Sequence, residues 1–291
     1  MKKDTKEKRV MILTDLEGCS GTEGYEDSGI GNKVFNGGTS VQCLANEINA
    51  CAEGLLEGGA TSILVWDCHG GGRNVPHDLL LDGIEMCMTN EATCHMAFLD
   101  HSFCATVQIG AHSKQGTLDG YLNHTRNSHG AALTALNGKP IGEPEFGIFR
   151  AAYFKVPTLL VAGDYAACRD ALAFQGKPLE TVVCKRGFSR YSVMHYPPEK
   201  VLSEIREKSK RAMQNLASYK VLEFPGEQEM IYRAMCPNQV RHWVMRGAEM
   251  LDDTTVRLYG NPMDLYAQLC GWAPGVHNRT FSITPETDDL F

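Results

Sequence analysis

Nowhere in the 291 residues is there an apolar run approaching the roughly 18–20 residues that a bilayer-spanning helix requires. The opening MKKDTKEKR is basic and polar, but the apolar run behind it, VMIL, stops at acids and is too short for the core of a signal peptide. Residues 1–8 therefore read as a flexible tail, and the chain as a cytoplasmic protein with no membrane partner. Basic charge is also scarce: 28 Lys and Arg stand against 35 Asp and Glu, a net charge of −7. A general nucleic-acid binder shows a basic face instead, so no nucleic-acid partner is expected. An acidic chain can still bind small cations.

The eleven cysteines are an odd number, scattered, and include no C-x-x-C pair. This excludes a zinc ribbon and a regular disulfide framework, and leaves buried thiols in a reducing compartment. The sequons at Asn123 and Asn278 carry no meaning without secretion. Repeats and low-complexity stretches are missing as well. What remains is 43% apolar and 22% charged, the composition of an ordinary globular protein large enough to bury a sizeable core.

Four short aliphatic runs stand out: VMILTD (10–15), SILVWD (62–67), ATVQIGAH (105–112) and TLLVAGD (158–164). Each fits a strand of a parallel sheet covered on both faces. Between the first two, Val41, Leu44, Ile48, Ala52 and Leu55 follow helical spacing and Gly58-Gly59 supply the stop, giving a β-α-β unit. Further helices are predicted around Phe146–Tyr153, over Ala166–Phe174, and over 198–217, where Val201, Leu202, Ile205, Ala212 and Leu216 share a face. Past residue 219 the pattern changes to VLEF, TTVRLYG and a short helix over Met263–Leu269. The expected fold class is α/β, a mostly parallel sheet flanked by helices, with a smaller α+β C-terminal part. The expected division is an α/β metal-binding domain over 9–190 and an α+β region over 191–291.

Ligands of open α/β sheets gather beyond the carboxyl ends of the strands. Three of the four proposed strands end in candidate metal ligands: Asp15 and Glu17 after the first, His69 after the second, His112 after the third. In an extended segment residues i and i+2 point to one side, so Asp15 and Glu17 can face one site. Glu143, in KPIGE, offers a third acid. Zinc takes imidazole nitrogen and carboxylate oxygen, and one carboxylate can bridge two ions. Taken singly these residues are ordinary: D-x-E arises in many loops, and a lone strand-end histidine is more often hydrogen-bonded than ligating. Only their placement on successive strand ends joins them. Asp67 reads equally as a cap or as an acceptor supporting His69, and Gly70, Gly71 and Gly72 read as a turn. His124, in GYLNHT, lies where a loop can fold back over the ions, able to move a proton, stabilise an oxyanion or attack; His129 is a weaker, solvent-facing competitor.

The series TDLEGCSG, LVWDCHGGGRN, IGAHS, GYLNHT, NGKPIGE, PTLLVAGD, KRGFSR and TTVRLYGNPMDLYAQL resembles the bacterial zinc-dependent D-aminopeptidases, a self-compartmentalising family of binuclear metallopeptidases. The resemblance runs over roughly residues 9–272 and rests on several motifs in one order. It implies metal ligands at Asp15, Glu17, His69, His112 and Glu143, with Asp15 the bridge, and a catalytic histidine at His124. It also implies two Zn²⁺ per subunit, though such donors accept Mn²⁺, Co²⁺ or Fe²⁺ too, a short peptide substrate with a D-residue such as D-Ala at its N-terminus, and a homodecamer of stacked rings. Thr14 stands where the family has Ser, the loop from His112 to His124 is longer by one residue, and VHNRTFSITPETDDLF has no counterpart. These departures lie outside the ligand set and bear on substrate preference. Two other activities fit the same residues: hydrolysis of a small non-peptide amide, and peptide binding without turnover.

Overall fold

The computed structural model describes residues 7–22, 39–70, 72–88 and 99–269. Gly71, the tail over 276–291 and most of the N-terminal tail lie outside the described residues. In chain order the elements are β1 (Arg9–Thr14), α1 (Thr39–Glu57), β2 (Ser62–Asp67), β3 (Glu85–Cys87), β4 (Phe103–Ala111), β5 (Ala131–Leu136), β6 (Lys139–Pro140), α2 (Glu143–Tyr153), β7 (Thr158–Asp164), α3 (Tyr165–Gln175), β8 (Glu180–Ser189), β9 (Ser192–His195), α4 (Pro198–Gln214), β10 (Gln228–Ala234), α5 (Arg241–Val244), β11 (Glu249–Met250), β12 (Thr255–Gly260) and α6 (Pro262–Leu269).

The four aliphatic runs form the centre of a seven-stranded sheet ordered β3-β2-β1-β4-β7-β8-β9. All its pairings are parallel except β8 with β9. The unbroken apolar runs follow from burial on both faces. Val10 and Ile12 of β1 join the cluster that holds Leu44, Ile48 and Leu55 of α1 and Val201 and Ile205 of α4. Met11 and Leu13 face the other way, among Leu64, Trp66, Phe103 and Val156. Helices α1 and α4 meet backbone to backbone, because a Cβ on Gly54 would lie 2.2 Å from the Arg206 carbonyl oxygen.

A second sheet, antiparallel throughout, runs β11-β12-β10-β5-β6. Strands β5 and β6 precede residue 190 and β10 to β12 follow it, so the sheet draws on both parts of the chain. Helix α2 is shared among the cores: Phe146 and Phe149 pack with the second sheet, Ile148 with β7 and α3, and Ala151 with the outer face of β1 and β2. That burial on all sides fixes the helix whose first residue is Glu143.

Two sequence expectations shift. The helix expected over 198–217 ends at Gln214, and Leu216 sits in a separate 3₁₀ turn, Leu216–Ser218. VLEF forms no strand, since it runs into the Pro225-Gly226 turn. The strand is Gln228–Ala234, whose Gln228, Met230, Tyr232 and Ala234 are buried with period two. Buried Gln228 and the outward Glu229 and Arg233 break up its apolar residues, so it does not read as an apolar run.

Candidate metal centre

Beyond β1 the chain does not continue as a strand. Thr14 is its last residue and 16–20 form a turn, so Asp15 and Glu17 are not brought together by extended alternation. The turn is held on the neighbouring strand instead: the Asp15 amide donates to the Ile109 carbonyl at 2.8 Å and the Gly18 amide to the Gly110 carbonyl at 2.9 Å. Three glycines permit this approach. A Cβ on Gly110, whose φ is +79°, would stand 1.9 Å from the Asp15 carbonyl oxygen; one on Gly18 or Gly163 would stand 1.9 or 2.0 Å from that of Ala111. The ends of β1, β4 and β7 are therefore packed main chain on main chain, and their outgoing side chains converge.

His69 follows β2 in a loop built on Asp67. The Asp67 carboxylate, itself fully buried, accepts from the amides of His69 (3.3 Å), Asn74 (2.5 Å) and Val75 (3.2 Å) and from the Asn74 side chain (3.0 Å). Of its two sequence readings, cap and support for the imidazole, it acts as the cap and positions His69 through the backbone. His69 Nδ1 lies 3.0 Å from Asp15 Oδ1 and 2.9 Å from Glu17 Oε2.

His112 is the first residue past β4. Its Nδ1 is 3.0 Å from the Ser113 carbonyl, which fixes the proton there and leaves Nε2 as the lone-pair atom. That Nε2 is 3.3 Å from Asp15 Oδ2 and 3.3 Å from Glu143 Oε1. Glu143 Oε1 in turn accepts from the Arg126 amide at 2.6 Å. All five residues expected to ligate metal thus meet at one place. Their donor atoms form two groups, Asp15–Glu17–His69 and Asp15–His112–Glu143, each within 4.8 Å, with Asp15 common to both, and Glu17 and His112 form a third of the same span with His124.

His124 belongs to the same cluster. Its ring stacks on that of His112, with centroids 4.0 Å apart and planes 11° from parallel. Nδ1 is 2.8 Å from the Leu122 carbonyl, so Nε2 faces inward, 3.6 Å from Glu17 Oε1 and 4.0 Å from Glu143 Oε1. His129, by contrast, is exposed and bonded to Ser128. The loop between His112 and His124 is pinned by Asn123, which accepts from the Gly116 amide (3.0 Å) and donates to the carbonyls of Thr117 (3.0 Å) and Gly120 (2.8 Å). In the sequence Asn123 stands out only as a sequon, although an Asn inside a Gly-containing loop is the type of residue that bonds local backbone.

The electrostatics are those of a site suited to a cation. Burial works against the charged forms of His69 and His112, yet both imidazoles are pushed well up, His69 by Glu17 and Asp15 and His112 by Glu143 and Asp15. Burial likewise works against the Asp15 and Glu143 carboxylates, and both are nevertheless held low, chiefly by His112. Among the described residues, two buried atoms, Glu17 Oε2 and His112 Nε2, complete no hydrogen bond, although His69 Nδ1 lies 2.9 Å from the first and Asp15 Oδ2 3.3 Å from the second. Unsatisfied carboxylate oxygen and imidazole nitrogen aimed at one point suit a divalent ion, and N/O donors of this kind suit zinc.

The fold and this cluster define an α/β protein with a candidate binuclear metal centre at the carboxyl edge of its parallel sheet. Residues 8–270 match the model of the M55 peptidase family, described as D-aminopeptidase, and the chain belongs to that family. A D-aminopeptidase of Bacillus subtilis (strain 168) is 28% identical over 252 residues, covering 85% of this chain and 89% of that protein. Among solved structures, the Zn-dependent D-aminopeptidase DppA from Bacillus subtilis, a self-compartmentalizing protease, superposes with a TM-score of 0.80 over 90% of this chain and 95% of that one. At 24% identity the superposition shows a common fold.

Proposed function

We propose that this chain is a zinc-dependent aminopeptidase that cleaves the first peptide bond of short peptides, with a D-residue such as D-alanine at the N-terminus. The observation that carries the reading is Asp15, whose two oxygens address His69 at 3.0 Å and His112 at 3.3 Å, as a carboxylate shared by two ions requires. Family membership supports the peptidase activity and the zinc.

Asp15, Glu17 and His69 would hold one ion, and Asp15, His112 and Glu143 the other. When bound, the ions supply Lewis acidity toward a carbonyl and make water a better nucleophile. Three carboxylates leave one positive charge of two Zn²⁺ uncompensated, which favours an attacking anion and a developing oxyanion. His124, with its Nδ1 proton donated to the Leu122 carbonyl, would present Nε2 to the cluster, 3.6 Å from Glu17 Oε1, to carry a proton from the attacking side to the leaving amine. Its stacking on the buried ring of His112 holds that nitrogen in register. The free α-amino group of the substrate, as the neutral amine, offers a nitrogen donor that such a net-positive centre would accept.

The chain is further proposed to form a closed homo-oligomer, a decamer of stacked rings with its sites facing an inner chamber. The self-compartmentalizing relative supports this, as do large apolar side chains left exposed on a single chain, among them Leu118, Phe188, Tyr191 and Met245. A cytoplasmic location accords with nine described cysteines that are all free thiols. Among the described residues no helix is long and apolar enough to cross a membrane.

A panel of D- and L-aminoacyl amides, D- and L-dipeptides and N-acylated analogues tests the proposal. D-aminoacyl substrates with a free amine should turn over fastest. Equal turnover of N-acylated amides would point to a general amidohydrolase, and tight binding by the fully metallated protein without product to a peptide-binding protein.

A further inference from the structure

The KRGFSR stretch at the end of β8 contains a lysine that the site chemistry does not use. Lys185 is fully buried, among the largest side chains with no exposure at all. A lysine in such a place must bond every proton it carries or lose its charge. Its Nζ donates to the Glu17 carbonyl at 2.8 Å and to the Thr22 carbonyl at 3.1 Å, and lies 5.2 Å from the centre of the Tyr121 ring. The same turn is gripped from α1: the Ser20 amide donates at 2.8 Å to Glu47, a buried carboxylate that also accepts from the Cys184 thiol at 3.7 Å. Residues 17–22 are thus tied at both ends by one ammonium group and in the middle by one carboxylate.

The rest of the stretch grips the other loop of the site. A Cβ on Gly187 would stand 2.5 Å from the Tyr121 amide nitrogen, so strand and loop are in direct contact there. The Leu122 amide donates to the Arg190 carbonyl at 3.0 Å, and Arg190 Nη2 donates to the Ser128 carbonyl at 3.4 Å. Leu122 is the residue whose carbonyl orients His124.

We propose that Lys185 is a positioning residue for the metal centre: its ammonium group, bonded to the Glu17 and Thr22 carbonyls, sets the place of the Glu17 carboxylate. The inference rests on the reading of Glu17 as a metal ligand. Metal sites lose about 10- to 100-fold in affinity when groups supporting a ligand are removed, because the ligand must then be ordered at binding. Lys185 touches no substrate and is not a catalytic residue.

The test is zinc affinity, measured by competition with a chromogenic chelator on the full chain, alongside the thermal midpoint of the metal-free protein. The double variant K185M/E47Q removes the ammonium group together with the buried Glu47 charge that acts on it electrostatically. It should fold, with a midpoint near that of E47Q, and bind zinc about 10- to 100-fold more weakly. In the zinc-saturated state kcat should fall while KM for a D-alanyl amide stays within about threefold, since the ligand geometry is disturbed and the substrate contacts are not. A folded K185M/E47Q with zinc affinity within threefold of E47Q overturns the proposal. If that variant does not fold, K185Q, which keeps one amide donor, answers the same question by the same criterion. E17Q is the control: full zinc retention there would overturn the assignment of Glu17 itself, whereas loss in E17Q with none in K185M/E47Q would overturn only the role of Lys185.

Discussion

Asp15 Oδ1 and Oδ2 face different imidazoles, His69 at 3.0 Å and His112 at 3.3 Å, so a single carboxylate joins the ends of β2 and β4. The main chain of Asp15 is bonded to Ile109 on β4, and its Oδ1 also accepts from the Leu16 amide at 2.8 Å. Few rotations remain open to it, which is what a shared ligand needs.

Replacing Asp15 with Asn keeps the shape but removes the charge that two ions share. D15N should release at least one zinc per chain, with turnover reduced about a thousandfold or more, in the range seen when the charged groups of a catalytic centre are lost. Elemental analysis of the purified variant checks it, and full retention of both ions contradicts the shared-ligand assignment.

His124 turns its Nδ1 to the Leu122 carbonyl and stacks on His112; its Nε2 also lies near Glu17, and Glu17, His112 and His124 are close enough to hold an ion, but the two groups that share Asp15 do without it. H124A should keep its zinc and lose about 10²- to 10⁴-fold in kcat, the usual worth of a positioned acid–base group. Unchanged kcat would remove His124 from the reaction; loss of zinc would make it a ligand.

Gly110 combines a left-handed backbone with a site where a Cβ would lie 1.9 Å from the Asp15 carbonyl oxygen. A side chain there costs about 1–3 kcal/mol in backbone strain alone, before the clash with main chain. G110A should lower stability in urea unfolding by at least that much and weaken zinc binding; stability within about 0.5 kcal/mol of the parent would contradict the close packing.

Asp164 ends β7 fully buried, with Oδ1 accepting from the Gly187 amide at 3.2 Å and Oδ2 unbonded among the described residues. Burial outweighs the Gly187 amide and the nearby Lys185 charge, raising its pKa from 3.8 to about 6. The folded state therefore holds this proton more tightly than the unfolded chain. As pH rises from about 4 to 6 the unfolded chain releases its proton first, so this group's contribution to stability falls, by about 3 kcal/mol in full, and then levels. The stability difference between D164N and the parent should thus move in favour of D164N by about 2–3 kcal/mol between pH 4 and pH 7. Denaturant unfolding of the metal-free proteins measures it, and a difference flat with pH contradicts the assignment.

The parts of the fold that were legible in the sequence are those whose burial is two-sided. Strands β1, β2, β4 and β7 are buried along nearly their whole length and read as apolar runs. Strand β8 escaped notice because it carries Lys185 and Arg186, and β10 because only alternate residues are buried. The candidate ligands were legible because each stands at or near one end of a readable element. What supports them was not: Lys185 reaches Glu17 across 168 positions of sequence, and nothing local marks a lysine for burial. The turn that joins Asp15 to Glu17 was hidden for a related reason, since it is held by strand β4, not by its own residues.

The central claim is that Asp15, Glu17, His69, His112 and Glu143 together hold a pair of ions on which peptide cleavage depends. Zinc content of the purified protein, measured together with hydrolysis of D-alanyl and L-alanyl amides before and after exhaustive chelation, tests it most directly. The account predicts two zinc ions per chain, preference for the D-alanyl amide, loss of turnover with the metal and recovery on adding zinc back. Undiminished hydrolysis by metal-free protein would contradict it.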